Sequence, residues 1–156
     1  MNYAYTLYLN DEFQRAVEYY QRSLEVRPNW EKTYYNLALV YERTGQRGLA
    51  FQAYEKVINI VENVFIEFNK EIVTALRNKS SRARSINSKE NNIINVKSVS
   101  KELGFVGTPN KINVENLKKI VSESEIPVIA PLGLNSENQV FNINADEVGT
   151  AIASSL

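Results

Sequence analysis

A repeat at a separation of 34 residues restricts this chain more than any other feature. Displaced against itself by that interval, the sequence sets Ala4 on Ala38, Leu7 on Tyr41, Ala16 on Ala50 and Tyr20 on Tyr54. A period of this order marks supersecondary units that bury their apolar faces only by stacking on one another. Tyr34, Leu37, Ala38 and Tyr41 follow the i, i+3, i+4, i+7 spacing of a single helical stripe. Thr44-Gly45-Gln46 breaks that helix, and glycine accepts the positive φ such a stop requires. Ala50 is small enough for the next helix to approach the first, and Tyr54 and Val57 seal the hairpin. Pro28 ends the preceding helix and opens the second unit.

This pattern resembles the tetratricopeptide repeat, over about residues 1–60, and the resemblance implies antiparallel helical hairpins. The first unit departs from the repeat at two points. Its opening helix begins close to Met1 and lacks a first turn, and Asp11 stands where the repeat usually has glycine. The resemblance also implies a concave groove that takes a protein or peptide. Lys32, Tyr35, Asn36 and Leu39 lie on the first-helix face that would line it, residue types that offer contact area and hydrogen bonds. The plainer reading is that Tyr35 and Leu39 pack against a neighbouring unit. A stable stack normally needs about three units. Fewer than two are present, so the face of residues 49–60 requires a cover.

The join to the rest of the chain is expected inside a helix. Glu62 occupies the place of the proline that would end a second repeat, and no glycine or proline falls between Gly48 and Gly104. Ile60, Val61, Val64, Phe65, Phe68, Ile72, Val73 and Leu76 continue an apolar stripe, predicting helix over 49–77 with a bend near Glu67-Phe68-Asn69. Residues 77–101 then carry Arg77, Lys79, Arg82, Arg84, Lys89, Lys97 and Lys101 against a single Glu90. A phosphate or nucleic-acid patch would use such a run. Without interleaved aromatics or a recognisable module, it reads instead as a solvated loop with short strands, one over Ile93-Ile94-Asn95-Val96.

Composition narrows the chemistry. The 18 lysines and arginines balance 18 aspartates and glutamates, so no global field attracts nucleic acid or an anionic membrane. Cysteine and histidine are absent, which removes disulfides, thiolate nucleophiles, His/Cys metal sites and histidine-based triads. No apolar run approaches the roughly 18 residues of a membrane span. The expected location is the cytoplasm or the plastid stroma.

Beyond residue 100 the local pattern is α/β. Asn113 is placed to cap a helix running to Ser122, and 126–132 is an apolar run of strand length. Leu134-Asn135-Ser136-Glu137-Asn138 reads as a polar turn, 139–143 as a returning strand, and a helix begins near Asn144 or Ala145. A strand running into a helix, with amides and a carboxylate at the junction, suits a polar ligand.

From Val61 onward the chain resembles acetylglutamate kinase, of the amino-acid kinase family. The resemblance rests on Val61-Glu62-Asn63-Val64, Asn69-Lys70-Glu71-Ile72-Val73, Leu103-Gly104-Phe105-Val106-Gly107 and Ile126-Pro127-Val128-Ile129-Ala130-Pro131. Its most specific part is Asn142-Ile143-Asn144-Ala145-Asp146, followed by Ala151-Ile152-Ala153. It implies that Asn142 hydrogen-bonds N-acetyl-L-glutamate and that Asp146 organises the catalytic lysines without itself reacting. It also implies ATP and Mg2+ as co-substrate and cofactor, with no metal held by the protein alone. The local alternative has Asp146 capping its own helix and Asn142 pairing within its strand.

The family's glycine-rich phosphate-binding segments, its substrate-binding arginine and its later lysine have no counterpart in the 156 residues. Ser80-Ser81 replaces a family Gly-Gly, Ser85 and Ser88 lie near family glycines, and Glu90 lies near a family aspartate. The expected fold class is therefore α plus α/β. Tetratricopeptide-type hairpins (1–60) pass through a helical junction (61–77) into an incomplete kinase-like α/β unit (78–156) with an exposed sheet edge. The expected function is an acetylglutamate-kinase-like chain that is catalytically incomplete alone. The alternatives are a tetratricopeptide interaction module or assembly factor (photosystem factors among them) with a vestigial kinase segment, and a chimeric join of two gene fragments.

Overall fold

A computed structural model describes residues 3–99 and 104–156. Met1, Lys101 and Leu103, which enter the sequence argument, lie outside the described residues. The chain divides into two compact units, Met1–Ile60 and Val61–Leu156.

The first unit contains α1 (Tyr3–Leu9), α2 (Phe13–Val26), α3 (Glu31–Arg43) and the opening part of α4 (Arg47–Asn78). Its core follows the repeat: Ala4, Leu7, Ala16, Tyr20, Leu37, Ala38, Ala50 and Tyr54 are all buried. Alanine at the equivalent positions 16 and 50 leaves 0% and 4% exposure, as close helix approach demands. Both hairpin turns close with the same hydrogen bonds. Gln46 N–H donates to Tyr41 C=O at 2.8 Å, and Gly45 N–H to Glu42 C=O at 3.0 Å. Thirty-four residues earlier Glu12 N–H donates to Leu7 C=O at 2.9 Å, and Asp11 N–H to Tyr8 C=O at 3.1 Å. This is the left-handed helix stop, with φ of 72° at Gly45 and 60° at Asp11. Asp11 therefore holds a backbone conformation that glycine adopts more cheaply.

Helix is continuous through Glu67-Phe68-Asn69, and the boundary between the two compact units falls within α4. In the second unit follow β1 (Ala83–Ile86), β2 (Ile94–Ser98), β3 (Val106–Ile112), α5 (Val114–Ser122), β4 (Ile126–Ile129), β5 (Leu132–Leu134), β6 (Val140–Ile143) and α6 (Ala145–Ser155). β1 and β4 form a two-stranded parallel sheet, and β2-β3-β6-β5 close into a small barrel. Ile86, Ile93, Ile94, Val96, Ile112, Leu117, Ile120, Phe141, Ile143 and Val148 make the main core. A second cluster joins Ile66 of α4 to Ala130 and Leu132.

Two local expectations change. The apolar run 126–132 is not one strand: it breaks at Ala130-Pro131, giving β4 to the parallel sheet and β5 to the barrel. Leu134 ends β5, so the turn is confined to 135–138. Proline cannot donate to a ladder, and the break lets one apolar segment serve two sheets. The predicted cap of α5 is present, with Asn113 Oδ1 accepting from Asn116 N–H at 3.1 Å. α4 and α5 end on the same left-handed stop as the hairpins, with serine in it: Ser80 has φ 63° and Ser124 φ 57°.

The edge of the parallel sheet is covered in part. Arg82 C=O and Ile86 C=O accept from Ile126 and Ala130 of the β4 segment, so the period of two turns residues 83 and 85 outward. Arg77 donates twice to Ala83 C=O (3.1 and 2.8 Å), and Asn91 Nδ2 donates to Ser85 C=O at 3.0 Å. Polar side chains thus occupy edge carbonyls that would otherwise accept a further strand.

Candidate functional site

Two sets of residues require placing, one in each unit. In the first, α3 carries the predicted groove residues. Lys32 and Tyr35 are exposed and Asn36 and Leu39 half-buried, while Leu37, Ala38 and Val40 of the same helix are buried. The helical period separates these two groups onto different faces. The Tyr35 ring meets Tyr54 edge-on at 5.9 Å, and Tyr54 donates its hydroxyl to Glu42 at 3.1 Å. Burial, then the Glu42 carboxylate, raise the Tyr54 pKa above the ordinary phenol value. Tyr20 is 0% exposed, and its hydroxyl has no hydrogen-bond partner among the described residues. Burial first, with Tyr5 and Tyr8 adding to it, pushes its pKa up to about 12. All nine tyrosines lie within the first 54 residues. That clustering was a readable signal, but the spacing argument used only the Tyr20/Tyr54 pair and two α3 tyrosines.

In the second unit, Asn142 is on β6 and Asp146 in the first turn of α6. Asn142 sits opposite Val106 of β3 on one side and Leu132 of β5 on the other, and its N–H donates to Phe105 C=O at 2.9 Å. Val106 and Leu132 are the flanking positions that sequence reasoning missed, because they come from strands 36 and 10 residues away. Asn142 pairs within its strand through its backbone, leaving the half-buried side chain outside the ladder bonds. The helix is capped by Asn144, whose Oδ1 accepts from Asp146 N–H at 2.9 Å. Asp146 does not cap it: its side chain is exposed at the positive end of α6, where a carboxylate is favoured.

Three cations of the basic run are paired with carboxylates. Arg82 reaches Glu125, Arg84 reaches both Glu123 and Glu125, and Lys89 lies 3.6 Å from Glu62. Glu62 is 7% exposed and accepts from the Ser88 hydroxyl at 2.6 Å. Asn69, also buried, donates to Val128 C=O at 2.8 Å and accepts from Ser85 at 2.6 Å; Ser85 in turn accepts from Asn87. The carboxylates come from α4 and from the segment after α5, so a count along residues 77–101 overstated the charge left free.

The two units resemble different known proteins. Residues 1–63 match the tetratricopeptide repeat model. The remainder is similar to acetylglutamate kinases. The enzyme of Pelagibacter ubique (strain HTCC1062) is 58% identical over 96 residues, which are 62% of this chain and 33% of that protein. The enzyme of Desulforamulus reducens is 34% identical over 103 residues, 64% of this chain and 36% of the relative. The chain thus spans about a third of the length of the curated relatives it matches. Among solved structures, that of smu.665 from Streptococcus mutans UA159 aligns with a TM-score of 0.58 at 24% identity. It covers 64% of this chain and 41% of that one, a likeness of fold alone. No helix among the described residues is long and apolar enough to cross a membrane.

Proposed function

We propose that residues 61–156 hold the acetylglutamate end of an acetylglutamate-kinase-like site, and that the 156-residue chain alone does not transfer a phosphoryl group. The observation that supports this is the Asn142–Asp146 junction. β6 presents one half-buried amide just before the junction, and the first turn of α6 presents one accessible carboxylate, in a region 58% identical to the Pelagibacter ubique enzyme. On this reading Asn142 hydrogen-bonds N-acetyl-L-glutamate. Asp146 is a positioning residue that orders lysines around the transferring group.

Phosphorylating a carboxylate needs no general base; it needs the reactants aligned and the phosphoryl charge neutralised. ATP with Mg2+ is the co-substrate that the relatives' name implies for this site. The described residues do not fit it. The six glycines, at 45, 48, 104, 107, 133 and 149, include neither the G-x-G-x-x-G nor the G-x-x-x-x-G-K spacing that cradles phosphates. Among the described residues no three acidic side chains gather where a metal ion would sit. No catalytic step is assigned to this chain on that account. Losing one charge-neutralising group commonly costs on the order of 10²–10³ in rate.

Isothermal titration of the full chain with N-acetyl-L-glutamate, and separately with a non-hydrolysable ATP analogue, tests the reading. Heat with the first that is lost in Asn142→Ala, and none with the second, is expected. Ordinary turnover by pure protein, abolished in Asp146→Ala, refutes the incomplete-enzyme part. Silence with both ligands refutes the acetylglutamate part.

A second reading assigns the first unit to protein or peptide binding through Lys32, Tyr35, Asn36 and Leu39. It is favoured by the exposure of Lys32 and Tyr35 beside buried neighbours on the same helix. Capture of a peptide that is lost in Tyr35→Ala but kept in Asp146→Ala supports it. Capture that is indifferent to Tyr35 removes it.

A further inference from the structure

We propose that the cleft along the outer edge of β1 binds a small oxyanion of phosphate type, at a site separate from Asn142 and Asp146. The cleft has a volume of about 360 Å³ and is walled by Lys70, Thr74 and Arg77 of α4, Arg84 and Ser85 of β1, and the loop residues Glu90 and Asn91. Positions 70, 74 and 77 recur at i, i+4, i+7, so α4 presents them on one face. Three of the lining side chains are cations and one is a carboxylate.

Hydrogen bonding decides which of these groups are available. Arg84 is committed to Glu123 and Glu125. Ser85 is committed to Asn69 and Asn87, and the Thr74 hydroxyl donates to Lys70 C=O. Arg77 uses Nε–H and one Nη2–H on Ala83 C=O, which fixes the guanidinium plane and leaves both Nη1–H groups and the second Nη2–H as donors. Lys70 has no ion pair among the described residues. One pre-oriented guanidinium edge and one ammonium therefore line the cleft with a single carboxylate, Glu90, beside them.

The loop that closes this cleft is itself built. Asn87 Oδ1 accepts from the N–H groups of Lys89 and Glu90 at 2.8 and 2.9 Å. Asn91 is held at φ 55° while its side chain is tied to Ser85 C=O. These bonds hold the loop in place beside the cleft, which limits the ordering cost of binding. Guanidinium and ammonium donors that are not ion-paired to a protein carboxylate are the groups that charge-assisted bonds to phosphate use.

Inorganic phosphate titrated into the full chain, followed through the amide resonances of Thr74, Ser85 and Asn91, tests the assignment. Saturable shifts at those three amides are expected, with Kd on the order of 1 mM and weakening as ionic strength rises. Lys70→Ala should weaken binding about 5–10-fold, and Arg77→Lys, which keeps the charge but not the fork, should weaken it as well. Lys79→Ala, a cation outside the cleft, should leave it unchanged. Because Lys70 is exposed on a helix, its alanine variant tests the site even if Arg77→Lys loosens the β1 edge. Absence of shifts, equal loss in Lys79→Ala, retention in Lys70→Ala, or acetate binding as tightly as phosphate would each overturn the proposal.

Discussion

Gly45 and Asp11 occupy the same place in consecutive hairpins, and exchanging their residue types should move stability in opposite directions. Both lie one residue beyond a helix cap and both are left-handed, at φ 72° and 60°. At Gly45 an added Cβ would meet nothing within 4 Å, so Gly45→Ala perturbs the backbone alone. A non-glycine residue in this region costs about 1–2 kcal/mol. Alanine returns about 0.4–1 kcal/mol by restricting the unfolded chain, leaving a net loss near 1 kcal/mol. Asp11→Gly reverses both terms, and it also gives up the contact with Arg43. That pair is 3.7 Å apart with both side chains more than 60% exposed, an arrangement worth about 0–1 kcal/mol. A net gain of about 0.5 kcal/mol is therefore expected from Asp11→Gly. Trp30, the chain's single tryptophan, lies in this unit, so urea unfolding read by its fluorescence reports on the hairpins directly. With a slope of about 1 kcal/mol per M, the two midpoints should fall on opposite sides of wild type, separated by about 1.5 M. Midpoints shifted in the same direction, or an unchanged Gly45→Ala, would falsify the backbone argument.

Three further outcomes are expected. Gly133→Ala should destabilise the barrel by about 1–3 kcal/mol or more, because its Cβ would lie 2.4 Å from Val96 Cγ1 and 2.9 Å from Ile94 C=O; an unchanged circular-dichroism melt counts against the closed barrel. Asn69→Ala should cost about 1–3 kcal/mol by removing a buried amide and leaving the half-buried Ser85 hydroxyl and Val128 C=O without their partner, whereas an effect under about 0.5 kcal/mol is what an exposed site gives. Tyr20 is raised to about 12, so it should stay protonated at a pH where a free phenol, with its ordinary value of about 10, is ionised. Its folded-state value lies above the unfolded one, so its contribution is complete below about pH 10 and is lost as pH climbs toward 12; absorbance at alkaline pH showing nine equivalent tyrosines contradicts this.

The helices were the readable part of this chain. A stripe such as Tyr34-Leu37-Ala38-Tyr41 carries its own period, and a stop such as Thr44-Gly45-Gln46 or a cap such as Asn113 acts within a few residues, so local order suffices to place them. The apolar stripe predicts the junction helix over 49–77, and the helix extends from Arg47 to Asn78. Strands were harder. β1 and β3 carry arginine, serine, threonine and proline, and their pairing partners lie elsewhere in the sequence. At the candidate site, the Asn142–Asp146 motif located the strand-to-helix junction, but assigning the cap to Asn144 and the neighbours to Val106 and Leu132 needed coordinates.

The sequence by itself determined the two parts of the chain, the helical hairpins with their stops, and the resemblance each part carries, because periodicity and short motifs act between residues close along the backbone. Only the tertiary structure decided that residues 126–134 serve two sheets, that Glu62, Glu123 and Glu125 pair with three cations of the basic run, and that Lys70 and Arg77 face a cleft with a single carboxylate. Strand pairing and charge pairing join groups far apart in the chain, and which groups meet depends on how the whole unit packs.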